Sequence, residues 1–389
     1  MRILYLQASW VPPPSNWKAD RFVLLSERLE GDVLHPIWFH SAEQVKEELG
    51  PNSWPEYVRG RFRYHWVLSF RANGKHRRFA TFWFYLRKGL ELHRRRRYDC
   101  IVVYSHMTPA LIAILLKLLT RTRVVVEIMT SPEFSYLYEH RRRTMRARAM
   151  RLFSDLSLHV TVLLSDLVHL LYEKQLEHYK LLKRHASIVF HDFVPISQIQ
   201  PSEGKEDVVL QVGAPWYLKG ADVLIEAFRK IAAEFPDVTL RLQGDNPGGR
   251  QLQKLAEGVP RVEVVRAVAN PETIRRIGRS LILVQPSRCE GLSRVLIEAM
   301  TAGVSIIASN VGGNPACIEE GQTGLLFASG NVDALAMQLR RLLCDPELRD
   351  RLGKRAREVA LDRFSEQAYL DQFARMVESV SRRKARLPS

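Results

Sequence analysis

The residues best suited to chemistry in this chain are two glutamates, Glu290 and Glu298, which share one short segment. The apolar run 281–284 predicts a buried strand of a parallel sheet, and a polar turn over 286–291 follows it. Beyond the turn, apolar residues recur at helical spacing up to Gly303, a glycine of the kind that closes helices. We therefore expect Glu290 at the carboxyl end of a strand, where open α/β sheets bind ligands, and Glu298 in the following helix.

The turn between the two glutamates has the features of an anion site. Gly291, Leu292 and Ser293 place successive backbone N–H groups where the helix is expected to begin, and helix N-termini bind anions. A carboxylate on each side with amides between them matches the parts of a nucleotide-sugar. One glutamate would accept hydrogen bonds from sugar hydroxyls and the other from ribose hydroxyls, while the amides hold the diphosphate.

This segment resembles the E-x7-E element of retaining glycosyltransferases of the family 4 type. Other stretches agree in order and spacing: the strand pattern 208–213 ends in Gly213, Lys219 follows six residues later, and 306–327 resembles the next strand, loop and helix of the family. The resemblance covers about residues 207–366 and is only loose before them. It implies the GT-B fold, an α/β architecture of two Rossmann-like domains that face each other across a cleft.

The resemblance also implies roles for these residues. Glu290 would contact the transferred sugar and stabilise the positive charge that glycosyl transfer develops. Lys219 would neutralise the departing diphosphate, and Glu298 would bind the ribose. The implied donor-binding set is Gly213, Lys219, Glu290, Gly291, Leu292, Ser293, Arg294 and Glu298. We expect a UDP- or GDP-sugar as co-substrate, no metal, because no Asp-x-Asp pair is present, and no other cofactor.

Two departures from the family pattern leave alternatives open. The arginine that usually follows the first-strand glycine is Ala214 here, so one cation expected at the diphosphate is missing. Arg294 either replaces it or forms an i,i+4 pair with Glu298. The histidine that members carry in the first domain aligns with Met129, which cannot hydrogen-bond a sugar hydroxyl.

The place of that missing histidine can be filled in more than one way. Glu127, Thr130 or His106 takes over its role, or the alignment is shifted. His106 follows a predicted strand and is our candidate for a catalytic residue in the first domain, although a lone histidine is more often structural. A third departure is the Pro-rich segment 12–18, which stands where many members have two glycines and predicts a stiffer acceptor loop.

Composition predicts two domains of different charge. The chain has 389 residues and a net charge of +16, of which +13 lies in residues 1–195 and +3 in 196–389. Four cysteines without metal-ligand spacing indicate a reducing compartment, and no apolar run reaches the length of a spanning helix. A basic half beside a near-neutral half suggests that one domain meets an anionic partner.

Alternating strand and helix patterns predict the domain boundaries. We expect an N-terminal acceptor-binding domain over 1–195, a linker over 196–206 and a C-terminal nucleotide-sugar-binding domain over 207–365. Residues 366–389 should form a helix that crosses back to the N-terminal domain, followed by a basic tail. Within the first domain, 157–164 is expected to be a strand.

Two arginine-rich segments in the first half suggest a membrane or acceptor surface. Residues 75–97 have an apolar helical face surrounded by arginines, and six arginines in 141–151 stand without an acidic neighbour. The first is either a helix lying on anionic lipid or a core-packing helix with solvated arginines, and Phe84 and Tyr85, off its apolar face, keep the lipid alternative open. The second either binds phosphate or lipid headgroups or is a solvated face. The residues assigned to this surface are Arg77, Arg78, Trp83, Arg141, Arg142 and Arg143.

The sequence therefore predicts a cytoplasmic retaining glycosyltransferase, peripheral on the inner face of the plasma membrane, that acts on a lipid-linked or anionic acceptor in polysaccharide or glycolipid biosynthesis. Two other functions remain open. One is the same fold with a soluble acceptor, for which the arginines would be incidental. The other is a non-catalytic subunit that binds a sugar nucleotide or nucleic acid, although we expect no nucleic-acid partner.

Overall fold

The computed structural model describes residues 1–8, 20–39, 45–47, 57–68, 74–130, 145–177, 179, 185–245 and 249–382. These residues group into two compact units. The first holds those within Met1–Pro132, Arg148–His191 and Gln367–Ser389, and the body of the second is Asp192–Glu366. Each unit is built on its own sheet, mostly parallel in the first unit and parallel in the second, which confirms the α/β prediction. Residues 196–206, expected to be a linker, lie within the second unit.

The described part of the first unit contains an eight-stranded sheet in the order β3-β4-β2-β1-β5-β6-β7-β8. β3 and β4 pair antiparallel, and the other neighbours pair in parallel. Its strands are β1 Arg2–Leu6, β2 Glu30–Phe39, β3 Tyr57–Arg59, β4 Phe62–Leu68, β5 Cys100–Tyr104, β6 Arg123–Ile128, β7 Leu167–Leu170 and β8 Ser187–Val189. The helices between them are α1 Arg21–Leu25, α2 Gly74–Arg95, α3 Thr108–Thr120 and α4 Met145–Leu164.

The second unit has the strand order of a Rossmann fold. Its described strands pair in parallel in the order β11-β10-β9-β12-β13-β14. They are β9 Glu206–Val212, β10 Thr239–Gln243, β11 Val262–Val265, β12 Ser280–Gln285, β13 Ser305–Ser309 and β14 Leu325–Phe327. Its helices are α5 Ala221–Arg229, α6 Gly249–Ala256, α7 Asn270–Arg279, α8 Arg294–Thr301, α9 Asn314–Cys317, α10 Val332–Cys344 and α11 Pro346–Arg363. The order reverses between β9 and β12, and ligands of open α/β sheets bind at such a switch point.

The last helix, α12 Glu366–Arg382, belongs to the first unit from Gln367 onward. Its buried face includes Tyr369 and Phe373, and the ring of Tyr369 meets Phe190 at 5.9 Å between centroids. This placement confirms the expected return of the chain. The basic tail beyond residue 382 lies outside the described residues.

The strand expected over 157–164 is wrong, because these residues form the end of α4. Ser157, Leu158, Thr161 and Val162 are buried at helical spacing. The Ser157 hydroxyl donates to the His106 carbonyl at 2.7 Å, and the Thr161 hydroxyl donates to the Ser157 carbonyl at 2.7 Å. Since these hydroxyls are satisfied, polar residues can occupy the buried face of the helix, which the sequence pattern concealed.

The rings expected off the apolar face of α2 are part of the core. Tyr85 is 1% exposed, its hydroxyl donates to the Gln7 carbonyl, and Phe84 packs partly buried against the same core. Phe79 and Trp83, two residues of the expected apolar face, are 67% and 43% exposed. The reason is the close approach of α3, since a Cβ at Gly89 would lie 2.9 Å from the Leu116 side chain. Because α2 packs against α3 as well as the sheet, the side of α2 that is buried includes Tyr85 and Gly89 and leaves Phe79 and Trp83 exposed.

Candidate donor site

The candidate site lies at the switch point of the second unit. β9 ends at Val212, and Gly213 follows it with φ of +130° and with the Lys219 side chain packed against it. β12 ends at Gln285, and the turn that follows carries Glu290. Because β9 and β12 are neighbours, Gly213, Lys219 and Glu290 meet at one edge of the sheet, as the sequence predicts.

Glu290 is held by three donors. The Lys219 Nζ lies 2.7 Å from Glu290 Oε1, the Gln285 amide donates to the same oxygen at 2.7 Å, and the Ser287 hydroxyl donates to it at 2.6 Å. Glu290 is 5% exposed, while the Lys219 side chain is 17% exposed. The carboxylate is therefore fixed through one oxygen, and its cation lies at the border with solvent.

Two glycines let the backbone segments of the site approach each other. A Cβ at Gly220, which has φ of +69°, would lie 1.9 Å from the Pro286 carbonyl oxygen. A Cβ at Gly312, with φ of +53°, would lie 2.0 Å from the Glu290 carbonyl oxygen. Any side chain at these positions would displace the turn that carries Glu290.

Arg288 joins this turn to the loop that carries Lys219, a role that the sequence did not reveal. Its guanidinium donates to both carboxylate oxygens of Asp222, at 2.8 and 2.7 Å, and lies 4.2 Å from the centre of the Tyr217 ring. It also donates to the Tyr217 carbonyl, and its backbone N–H donates to the Leu218 carbonyl at 2.8 Å. A planar, bidentate arginine fixes geometry more tightly than a lysine can. The sequence did not reveal the pair because Arg288 and Asp222 are 66 residues apart along the chain.

Glu298 lies within α8 and is 4% exposed. Burial raises its pKa, and the charge of Arg294 and a hydrogen bond from Asn270 oppose that rise. The Asn270 amide lies 3.3 Å from Glu298 Oε1 and is a second residue that sequence reasoning missed. Arg294 is exposed, and among the described residues it forms no ion pair with Glu298 within 4.0 Å, so the close-pair alternative for Arg294 is not seen.

The turn that we expect to bind an anion lies immediately before α8. α8 begins at Arg294, with Ser293 as its N-cap, so Gly291, Leu292 and Ser293 form the turn before the first helical residue. Gly303 follows the C-cap with φ of +70° and closes the helix, as the sequence predicts. The turn thus presents its N–H groups at the positive end of an eight-residue helix.

In the first unit, His106 is buried rather than open to solvent. It is 7% exposed, its Nε2 lies 3.1 Å from the Ser154 hydroxyl on α4, and burial lowers its pKa to about 4. It is therefore neutral at pH 7. A catalytic role for His106 stays a prediction, and the contact with Ser154 gives it a place in packing.

Glu127, another replacement for the missing histidine, lies in a closed polar network. It is fully buried on β6, accepts a hydrogen bond from the Tyr5 hydroxyl and lies 3.1 Å from His169 Nδ1. Burial alone would raise the pKa of Glu127, but the His169 hydrogen bond and the charge of Arg21 outweigh it and lower the pKa. Met129 is buried beside this network, and Thr130 accepts a hydrogen bond from Gln175 through its carbonyl.

Most of the expected membrane surface falls outside the described residues. Arg141, Arg142, Arg143 and the segment 12–18 lie there entirely, and Arg77 and Arg78 are described only as backbone within α2. Trp83 is half exposed. No helix within the described ranges is long and apolar enough to cross a membrane, and the same residues hold no cluster of three metal-binding side chains.

Comparisons with known proteins agree with this geometry. Residues 193–359 match the family model described as Glycosyl transferases group 1. A sulfoquinovosyl transferase of Arabidopsis thaliana is 32% identical over 164 residues, which are 41% of this chain and 31% of that protein. A GDP-mannose-dependent phosphatidylinositol monomannoside mannosyltransferase of Mycolicibacterium smegmatis is 31% identical over 43% of this chain and 46% of its own. The chain thus matches less than half the length of these relatives.

Solved structures extend the likeness to the whole fold. A sucrose-phosphate synthase from Thermosynechococcus elongatus aligns with a TM-score of 0.76 at 18% identity, over 98% of this chain and 99% of that one. The Anabaena protein HepE in complex with UDP-glucose aligns with a TM-score of 0.70 at 18% identity, over 97% and 100% of the two chains. The class of fold is therefore that of the GT-B glycosyltransferases, as the sequence predicts. Within it, residues 193–359 carry the group 1 glycosyl transferase pattern.

Proposed function

We propose that this protein is a retaining glycosyltransferase of the family 4 type that transfers a sugar from a UDP- or GDP-sugar to a lipid-linked or otherwise anionic acceptor at the cytoplasmic face of a membrane. The observation that carries the proposal is the Glu290–Lys219 pair at the switch point of the second unit, 2.7 Å apart beside an anion-binding turn. The group 1 match over 193–359 supports the same site.

The charges of the site fit the parts of a nucleotide-sugar. Lys219 lies 2.7 Å from Glu290, and with the N–H groups of 291–293 it would bind the diphosphate and stabilise it as it leaves. Glu290 would then face the sugar carbon from which the diphosphate departs, where a carboxylate stabilises developing positive charge. Glu298, buried farther along α8, would accept hydrogen bonds from the ribose. No metal is needed in this scheme, because Lys219 and the amides supply the positive charge.

The relatives support a nucleotide-sugar donor and allow a lipid acceptor. HepE binds UDP-glucose, and the mannosyltransferase is named for GDP-mannose and a phosphatidylinositol monomannoside. The charge of +13 in residues 1–195 favours an anionic acceptor or surface for this chain. Arg77, Arg78, Trp83 and the arginines at 141–143 remain our proposed part of that surface.

A thermal-shift screen against UDP- and GDP-sugars tests the donor, because a ligand that binds only the folded state raises the melting temperature. A donor found in this way should be hydrolysed slowly to the nucleoside diphosphate, with retention at the sugar carbon read by NMR. Binding without any release of nucleoside diphosphate would identify a non-catalytic subunit. No stabilisation by any nucleotide-sugar would contradict the donor site itself.

A further inference from the structure

Helix α4 has an exposed apolar face opposite its buried one. Its buried side faces the core of the first unit through Leu158 and Val162. On the other side, Leu152 is 71% exposed, Leu156 60% and Leu163 52%. These three residues follow each other at spacings of four and seven, so they lie in one line along a helix of 20 residues, about 30 Å long. Exposing such a line of leucines to water is unfavourable, so a partner that covers it would stabilise the protein.

The end of α3, which contacts the end of α4, carries further exposed leucines. Leu118 and Leu119 are 69% and 57% exposed at the C-terminus of α3. The neighbouring Lys117 donates to the Leu164 carbonyl at 2.8 Å, which ties the ends of the two helices together. We call the whole the α3–α4 apolar surface; it comprises Leu118, Leu119, Leu152, Phe153, Leu156, Leu163 and Leu164. Half of the large apolar side chains that are exposed in the described residues lie here, and such a patch marks an interaction site.

The border of the surface is basic. Arg121, Arg148 and Arg151 are exposed next to it. Two acids lie nearby and both are paired, Asp155 with Arg151 at 3.7 Å and Asp166 with Lys117 at 2.7 Å. A two-fold dimer through this surface would place like-charged borders against each other, since each copy presents the same patch. An anionic bilayer is complementary to it, because leucines enter the acyl region while arginines contact the phosphates.

We propose that the α3–α4 apolar surface inserts into the interface of an anionic membrane, with α4 lying along the bilayer plane. The inference rests on the proposed function, since it specifies the surface at which a lipid-linked acceptor would be met. It also moves the main contact from the arginines of 77–78 and 141–143 to leucines that lie on two other helical segments.

Vesicle binding by matched variants tests the surface. Leu152→Gln with Leu156→Gln removes two exposed leucines while keeping good helix formers. Met337→Gln with Leu361→Gln is the control, because these residues are 59% and 44% exposed on helices of the second unit. In sedimentation with phosphatidylcholine–phosphatidylglycerol vesicles, the first variant should bind at least about tenfold more weakly than wild type, and the control should bind like wild type. Phosphatidylcholine alone should bind the wild type weakly.

Three results would overturn the proposal: no sedimentation of the wild type with anionic vesicles at low salt, an equal loss in both variants, or a lipid-free dimer that only the α4 variant disrupts. The last would assign the surface to a second copy of the chain. Equal circular dichroism and melting temperatures of the variants show that they are folded. Donor hydrolysis, measured without lipid, reports on the proposed function separately. Vesicle binding without hydrolysis would contradict the function alone, and hydrolysis without vesicle binding would contradict the surface alone.

Discussion

Each unit buries a glutamate near the carboxyl end of a parallel strand, and the two glutamates differ in their surroundings. Glu127, on β6, is 0% exposed and is enclosed by Tyr5 and His169 with the charge of Arg21 close by. Glu290, after β12, is also buried, but the side chain of its cation Lys219 is 17% exposed, and the turn 291–293 that follows Glu290 leads into the N-terminus of α8. Burial alone therefore does not separate the two carboxylates. They differ in that the cation paired with Glu290 is partly exposed.

The same substitution at both glutamates should separate their roles, and the larger effect is expected at Glu127. Glu127→Gln leaves the Arg21 charge and the His169 ring without their carboxylate, and breaking a buried pair costs about 3–5 kcal/mol of the free energy of unfolding. Urea unfolding measures it. A variant as stable as the wild type would show that the network is not structural.

The lowered pKa of Glu127 adds a pH signature to that variant. A carboxyl with a folded-state pKa below its unfolded value contributes stability above the unfolded value, and loses it as the pH falls through the folded one. The wild type should thus lose stability below about pH 4.5, near the ordinary pKa of a glutamate. Glu127→Gln should lose less over the same interval.

Glu290→Gln should change activity strongly and stability little, the reverse of Glu127→Gln. We expect sugar transfer to fall on the order of 100- to 1000-fold, since a charge that stabilises the transition state is removed. The affinity for UDP or GDP, read by calorimetry, should stay within about tenfold, and the free energy of unfolding within about 1 kcal/mol. Wild-type turnover would remove Glu290 from the mechanism.

Arg288→Lys tests whether the clamp on the Lys219 loop positions that lysine. Losing the bidentate contact to Asp222 should lower kcat about tenfold while KM for the donor changes less, because the charge is kept and the geometry is not. Asp222→Asn should act similarly, and the double variant should be no worse than either single one. Additive effects would mean that the two residues act separately.

Glu298→Ala should weaken the binding of UDP or GDP by about tenfold, because a hydrogen-bond acceptor for the ribose is lost. Turnover at saturating donor should change little. Since burial raises the pKa of Glu298, the charged form gains little from folding, and the variant should be about as stable as the wild type. Unchanged nucleotide affinity would leave the contact with Asn270 as the role of Glu298.

The smallest expected effect concerns His106. Its folded-state pKa of about 4 lies below the ordinary histidine value, so the unfolded state binds the proton first as the pH falls. Stability should therefore drop by about 1 kcal/mol from pH 6.5 to 5.5, and His106→Gln should remove that part of the slope. An unchanged slope would contradict a buried, neutral His106.

Local patterns in the sequence predicted the surroundings of Glu290. The order of strand, turn and helix around Glu290 is local, and its partners Gln285 and Ser287 lie within five residues of it. Lys219 was found because a resemblance supplied the spacing from Gly213. Arg288 and Asn270 were not found, because their partners come from distant segments that only the strand order brings together.

The first unit was less predictable, for a physical reason. Ser157, His159 and Thr161 alternate with apolar residues as a strand would, but in α4 the buried hydroxyls bond carbonyl groups and allow a helix. The exposed leucines of the same helix also obscure the helical pattern, because predictions from hydrophobic periodicity assume that apolar residues face the core. Where a helix is apolar on two sides, the sequence pattern cannot tell which side is buried.

The position of α12 has a consequence for how the chain folds. The first unit begins to be synthesised first, yet its buried residues include Tyr369 and Phe373, which follow the second unit along the chain. The second unit, by contrast, is complete at Glu366. While the second unit is being synthesised, the part of the first unit that α12 covers is therefore exposed. During that interval the first unit can bind chaperones or aggregate.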